Sequence, residues 1–203
     1  MAADDNAVVS EVVHLTSADA RRVPWKNGRG VTEELAIWPA GAGFESGAFD
    51  WRISKASVTE AGPFSPFPDH ERVLVVTGGG DLVLSHGAHA PAARVGRLEP
   101  YRFDGGWPTS AALPDGPVRD FNVLARRGRI RADVEVLRGS GAAVAAGAHA
   151  FVHVLVGEAV IGAGRDTLRL AALESAWLRG GGSLRVEDGA ADRVVLSVRI
   201  SRG

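Results

Sequence analysis

The chain has 203 residues, room for one large β domain or two small ones, and its 45% hydrophobic content suffices for a real core. A formal net charge of −1 supplies no basic field to hold a phosphate backbone, so nucleic acid is not an expected partner. With no cysteine, disulfides, thiolate metal sites and cysteine nucleophiles are all excluded.

The first residues, MAADDNAVVSEVV, lack a basic region followed by a long apolar run, and nowhere do about 18 apolar residues follow one another. A soluble, cytoplasmic protein without a membrane partner is expected. Helical signal is confined to short pieces such as TSADARR (16–22), where Thr16 or Ser17 caps a brief turn. Strand signal dominates the rest: ELAIW (34–38), WRISKASV (51–58), RDFNVLARR (119–127), AFVHVLV (150–156), AVIG (159–162), DTLRLAAL (166–173), SLRVE (183–187) and RVVLSVRIS (193–201). The run ERVLVVTGGGDLVLS (71–85) reads as a hairpin, two apolar strands joined by glycines and an aspartate. A weak echo of that order recurs in FVHVLVGEAVIG (151–162) and favours two stacked β barrels, residues 1–130 and 131–203. The alanine- and glycine-rich stretch 138–150 fits a linker, a loop or a weakened strand, and the two GGG runs, 78–80 and 180–182, read as turns.

Four segments mix aromatic and polar residues in a way that a core does not require. In VPWKNGRGVTEE (23–34), Trp25, Lys26 and Asn27 stand beside Gly28 and Gly30: an aromatic plate, a cation and an amide on a loosened backbone. Lys26 fits either a solvated surface or a ligand contact, and Asn27 before Gly28 is equally an ordinary turn dipeptide. Arg52 and Ser54 point to the opposite face from Trp51 and Ile53; they meet water if that pair is core, or line a polar interior if Trp51 packs behind them. Arg72 opens a long apolar strand, where a charge blunts an edge by default. Asp120 and Asn122 alternate with Phe121, and Phe64 and Phe67, stiffened by three prolines, suit either a barrel plug or a cavity roof. RRGRIR (126–131) reads as a solvated strand end, and Ser65 has neither a nucleophile elbow nor a placed histidine.

The series VPWKNGRGVTEELAIWP, FDWRISKASV, GPFSPFPDHERVLVVTGGG and DFNVLARRG resembles the HutD/Ves family, whose members carry a WKNGxGxT element, a WRxS strand, a GPFSxFP loop, an Arg before the next strand and a DFNVM-like strand. The likeness covers residues 23–128. Leu124 stands where the family often has Met, and Asp69, His70 and Glu71 replace more usual residues before the Arg. The resemblance implies an all-β, cupin-like double-stranded barrel fold, two barrels to a chain (a bicupin), and by analogy a homodimer. It also implies a ligand-binding or regulatory role in histidine utilisation or stress response, with a small carboxylate such as urocanate or formylglutamate as ligand. The ligand-binding set is then Trp25, Lys26, Asn27, Thr32, Arg52, Ser54, Phe64, Phe67, Arg72 and Asn122.

Metal-binding cupins often show a G-x5-H-x-H-x3-4-E-x6-G signature. Anchored on Glu71 and Gly78, its histidine places fall on Ser65 and Phe67, or on Phe64 and Pro66, which are not metal ligands. The second signature fits best on Pro114 and Gly116, with Arg119 in the histidine place. No metal, no cofactor and no catalytic residue are expected. The competing reading is a cofactor-free isomerase or hydrolase, for which His70, Glu71 and Tyr101 are the available acid–base groups.

Overall fold

The computed structural model describes residues 11–25, 30–43, 47–187 and 189–203, and among them the regular structure is all strand. In chain order the strands are β1 (Glu11–Leu15), β2 (Arg21–Pro24), β3 (Val31–Trp38), β4 (Trp51–Val58), β5 (Gly62–Pro63), β6 (His70–Gly79), β7 (Leu82–Ser85), β8 (Ala93–Val95) and β9 (Tyr101–Asp104). They continue with β10 (Ser110–Ala112), β11 (Val118–Arg126), β12 (Ile130–Arg138), β13 (Ala143–Val156), β14 (Ala159–Ala163), β15 (Asp166–Leu170), β16 (Ser175–Val186) and β17 (Val194–Arg202). The chain divides into two units. The larger takes Ala18–Val136 with Arg202–Gly203; the smaller takes the segment ending at Ser17 with Leu137–Ser201, so β1 belongs with the C-terminal strands.

The larger unit holds a six-stranded sheet, β2-β3-β4-β11-β6-β9, and a four-stranded sheet, β5-β10-β7-β8. Val58, Leu74, Val76 and Val118 from the first sheet pack with Leu82, Leu84, Val95 and Ala111 from the second. Each such aliphatic side chain withdrawn from water contributes about 1.5–3 kcal/mol. The hairpin expected over 71–85 does not form, because β6 and β7 lie in different sheets. The glycines turn a corner instead of closing a ladder. Gly79 sits at φ 86°, and a Cβ there would fall 2.1 Å from the Pro117 carbonyl oxygen. Only glycine passes at that separation.

In the smaller unit the order is β17-β13-β16-β14-β15. The long β16 pairs with β13 along one edge and shares the other between β1 and β14. The second glycine run, read as a turn, lies inside β16, with Gly180, Gly181 and Gly182 at φ 82°, 86° and 119°. There the register against β13 slips between Gly147 and His149, so the glycines serve a bulge. The alanine-rich stretch resolves into the first half of β13. An aliphatic cluster is built from Val152, Val154, Ile161, Leu170, Leu178, Leu184 and Val186 among others, and Phe151, Trp177, His153 and Arg193 are buried in the same unit.

Where closed barrels were expected, every strand order runs from one end strand to another, so the sheets are open. The sequence echo does survive in topology: β6 and β7, like β13 and β14, follow each other past a positive-φ glycine, Gly79 or Gly157, without pairing.

Candidate functional site

Strand alternation and register assemble one polar face in the larger unit. Ser54 on β4 lies opposite Asn122 on β11, Ala56 opposite Asp120, and Arg52 opposite Leu124, which in turn faces Arg72 on β6. The other face of the same strands carries Trp51, Ile53, Phe121 and Val123, all buried. The polar face borders a cavity of about 450 Å3. Arg72 is therefore no edge marker, since β6 runs between β11 and β9.

Two charged systems share this cavity. Arg52, 4% exposed, donates from Nε to Glu34 Oε2 at 2.6 Å and from Nη1 to Ser54 Oγ at 3.4 Å. The other Glu34 oxygen accepts from Arg21 Nε at 3.1 Å. Burial pulls the Arg52 pKa down and Glu34 opposes that pull, so the ion pair keeps the guanidinium charged and largely compensated.

The second system is arranged differently. Arg72 donates from both Nε and Nη2 to Asn122 Oδ1, at 2.8 and 2.6 Å, and Asn122 Nδ2 donates to Asp120 Oδ1 at 2.8 Å. Its guanidinium lies over the Phe64 ring, 4.5 Å from the centroid. Arg72 Nη1 has no protein acceptor among the described residues, leaving a donor for a ligand. Burial lowers the Arg72 pKa to about 10 despite Asp120, and pushes Asp120 up to about 6, with Arg72 and its hydrogen bonds resisting. An asparagine thus stands between a cation and an acid that do not pair directly.

Walls and roof come from the two glycine- and proline-rich motifs. The Trp25 N–H donates to the Gly30 carbonyl at 2.9 Å, and the indole Nε1 donates to Thr32 Oγ1 at 2.9 Å. A Cβ on Gly30 would come within 2.9 Å of the Trp25 ring, which explains that glycine. Phe64 and Phe67 line the cavity, tied down by Phe64 N–H to the Thr109 carbonyl (2.9 Å) and Phe67 N–H to the Gly105 carbonyl (2.7 Å). Of the two readings, the loop takes the one in which it roofs a cavity.

Of the residues expected to bind ligand, Trp25, Thr32, Arg52, Ser54, Phe64, Phe67, Arg72 and Asn122 all line this cavity; Lys26 and Asn27 lie outside the described residues. Glu34 and Asp120 were missed as site residues. Asp120 was within reach, two positions before Asn122 and so on its face; the role of Glu34 depends on strand pairing. The acid–base candidates lie elsewhere. His70 is buried on Phe49, its Nε2 3.0 Å from the Phe49 carbonyl, Glu71 pairs with Arg102, and the Tyr101 hydroxyl meets His86 Nε2 at 3.0 Å. No group of three His, Asp or Glu side chains that could hold a metal occurs among the described residues. The smaller unit has a wider cleft of about 680 Å3, but its charged lining residues, His14, Arg165 and Asp166, are exposed.

The HutD family model matches residues 17–196. Protein Ves from Cronobacter sakazakii is 37% identical over 122 residues, 58% of this chain and 64% of that protein, so the match spans under two thirds of the Ves length. An uncharacterised 21.2 kDa protein from the hutC 3′ region of Pseudomonas putida is 34% identical over 133 residues, 65% of this chain and 67% of its own. Among solved structures, HutD from Pseudomonas fluorescens (formate condition) superimposes with a TM-score of 0.79 at 27% identity, covering 95% of this chain and 100% of that one. A conserved protein of unknown function from Pseudomonas aeruginosa gives 0.82 at 29% identity, covering 94% and 99%. Lactobacillus farciminis oxalate decarboxylase, at 8% identity with a TM-score of 0.62 over 91% of this chain and 85% of its own, adds the fold alone, which is cupin-like. No helix among the described residues is long and apolar enough to cross a membrane.

Proposed function

The chain belongs to the HutD family, and on that premise we propose that the cavity of its larger unit captures a small carboxylate and that the protein reports the level of that acid to histidine breakdown. The observation that carries the reading is Arg72: a half-buried guanidinium fixed by Asn122 and stacked on Phe64, with Nη1 left for an anion. Arg21 and Arg52 share Glu34, so that cluster carries one net positive charge beside the cavity. Phe64, Phe67 and Trp25 supply an apolar surface for a flat carbon skeleton. The family's link by name to a histidine-utilisation locus makes urocanate and formylglutamate the first ligands to try. We further read the two units as two cupin-like halves of a bicupin; the repeated strand–glycine–strand order and the long coverage of cupin-like neighbours support that reading.

Binding without turnover is favoured over an enzyme because His70, Glu71 and Tyr101 are engaged away from the cavity. The test is a thermal-shift series with urocanate, formylglutamate and formate, since a ligand specific for the native state raises Tm. A dose-dependent rise for at least one acid, abolished in Arg72→Met, is expected; flat melting curves at saturating concentrations of all three contradict the proposal.

A further inference from the structure

We propose that Asp120 is a second recognition point of the cavity, accepting an N–H of the bound acid while Arg72 holds its carboxylate, so that the preferred ligands are acids carrying a nitrogen donor. The inference rests on the carboxylate reading above and deepens it.

Its basis is the spacing of Arg72 and Asp120. Both line the cavity, yet they are held apart by Asn122, whose carbonyl oxygen faces the guanidinium and whose amide faces the carboxylate. The amide accepts two hydrogen bonds from Arg72 and gives one N–H to Asp120 without cancelling either charge, and the Ala56 backbone gives Asp120 a second hydrogen bond. Arg72 keeps a donor for an anion, and Asp120, 1% exposed, is a buried acid with no cation on its oxygens. Burying an acid in this way is costly unless something uses it. A ligand with a carboxylate at one end and an N–H toward the other satisfies both charges. Phe64 and Phe67 line the same cavity, which suits a planar conjugated spacer.

The charged neighbours of Asp120 are few. On the strands packed beside β11, Arg72 and Arg52 face the cavity, and Glu34 and Arg21 are tied to Arg52 and each other. Lys55 is held by Glu33 at 3.0 Å, His70 by the Phe49 carbonyl, and Glu71 by Arg102; Arg119 on β11 itself is exposed. The β5 loop brings no charge, Gly62–Pro63 being followed by Phe64, Ser65, Pro66, Phe67 and Pro68. Burial pushes Asp120 up to about 6, so its acceptor role is available above that pH and lost below it.

The test compares two isosteric probes by calorimetric titration of the full chain: 3-(pyrrol-2-yl)acrylate, which has an N–H, and 3-(furan-2-yl)acrylate, which has an ether oxygen in its place. Neither ring titrates near Asp120. Above neutral pH the pyrrole is expected to bind about 10-fold tighter or more, the discrimination of a hydrogen bond to a charged group. That preference should collapse below about pH 5 as Asp120 protonates, and in Asp120→Asn at every pH. Should Asp120→Asn fail to fold, the pH series on the unmutated chain decides alone. Equal affinities for the two probes at high pH overturn the role of Asp120 and leave carboxylate capture standing. Binding of neither probe overturns both.

Discussion

The two units differ in what their buried polar groups face. In the smaller unit the buried cluster is aliphatic from Ala145 to Val195, and the ionisable groups around its cleft are exposed. In the larger unit the inner face of β4, β6 and β11 is apolar at one end, where Val58, Val76 and Val118 pack, and charged at the other, where Arg52, Arg72, Asp120 and Asn122 meet the cavity. The same architecture thus holds an aliphatic cluster with buried polar groups such as His153 and Arg193 tied to Ser175 and to backbone carbonyls in one place, and is half core, half binding site in the other. Since a buried charge costs stability and an aliphatic side chain adds to it, the polar half is the part whose retention needs a function.

The strongest way to break this contrast is to exchange the chemistry. Leu184→Asp, placing a carboxylate in the aliphatic cluster, should cost more than about 4 kcal/mol in urea denaturation, whereas Ser54→Ala in the cavity should cost about 1 kcal/mol or less. Similar losses would mean that the two interiors are alike. Next, Arg52→Met strips Glu34 of its closest partner but leaves it Arg21 at 3.1 Å. A loss of about 3 kcal/mol is expected, at the lower end for breaking a buried pair, and Glu34→Gln in the same background should recover most of it. For Arg72→Met the effect should fall on binding instead: about 100-fold weaker affinity for the acid in calorimetric titration, with a denaturation midpoint close to that of the parent.

A finer test uses pH. Asp120 is raised on folding from 3.8 to about 6, so its favourable contribution is present below 3.8 and is lost as pH rises through about 6. His70, His86 and His149, all lowered chiefly by burial, push the other way, losing stability as pH falls. The clean quantity is therefore the difference between the parent chain and Asp120→Asn. The variant should be more stable by about 3 kcal/mol near neutrality, and the gap should close toward pH 4. A gap independent of pH would remove Asp120 from the buried, ionising groups.

How far the sequence reading reached follows from what alternation can and cannot encode. WRISKASV became β4 with the bounds expected, because β-branched and aromatic residues at period two leave little choice. The same alternation put Arg52 and Ser54 on one face, and Asp120 and Asn122 on one face, without saying which face is inward. That is set by the strand order β3-β4-β11-β6 and by the bulge between Glu34 and Ala36, both long-range outcomes. For the same reason Glu34 could not be matched to Arg52. The glycine runs misled because a corner between sheets, a bulge within a strand and a hairpin turn all demand positive φ, and the surrounding contacts alone distinguish them.

The central claim, that an anion enters the cavity of the larger unit and pairs with Arg72, is most directly tested by a titration followed in amide and arginine side-chain NMR. On adding urocanate, the account predicts saturable shifts of the Arg72 guanidinium, the Asn122 side-chain amide and the amides of Phe64, Ser65 and Phe67, with Val152, Leu178 and Leu184 in the aliphatic cluster unmoved. Shifts centred on that cluster, or saturation without any response from Arg72, would contradict it.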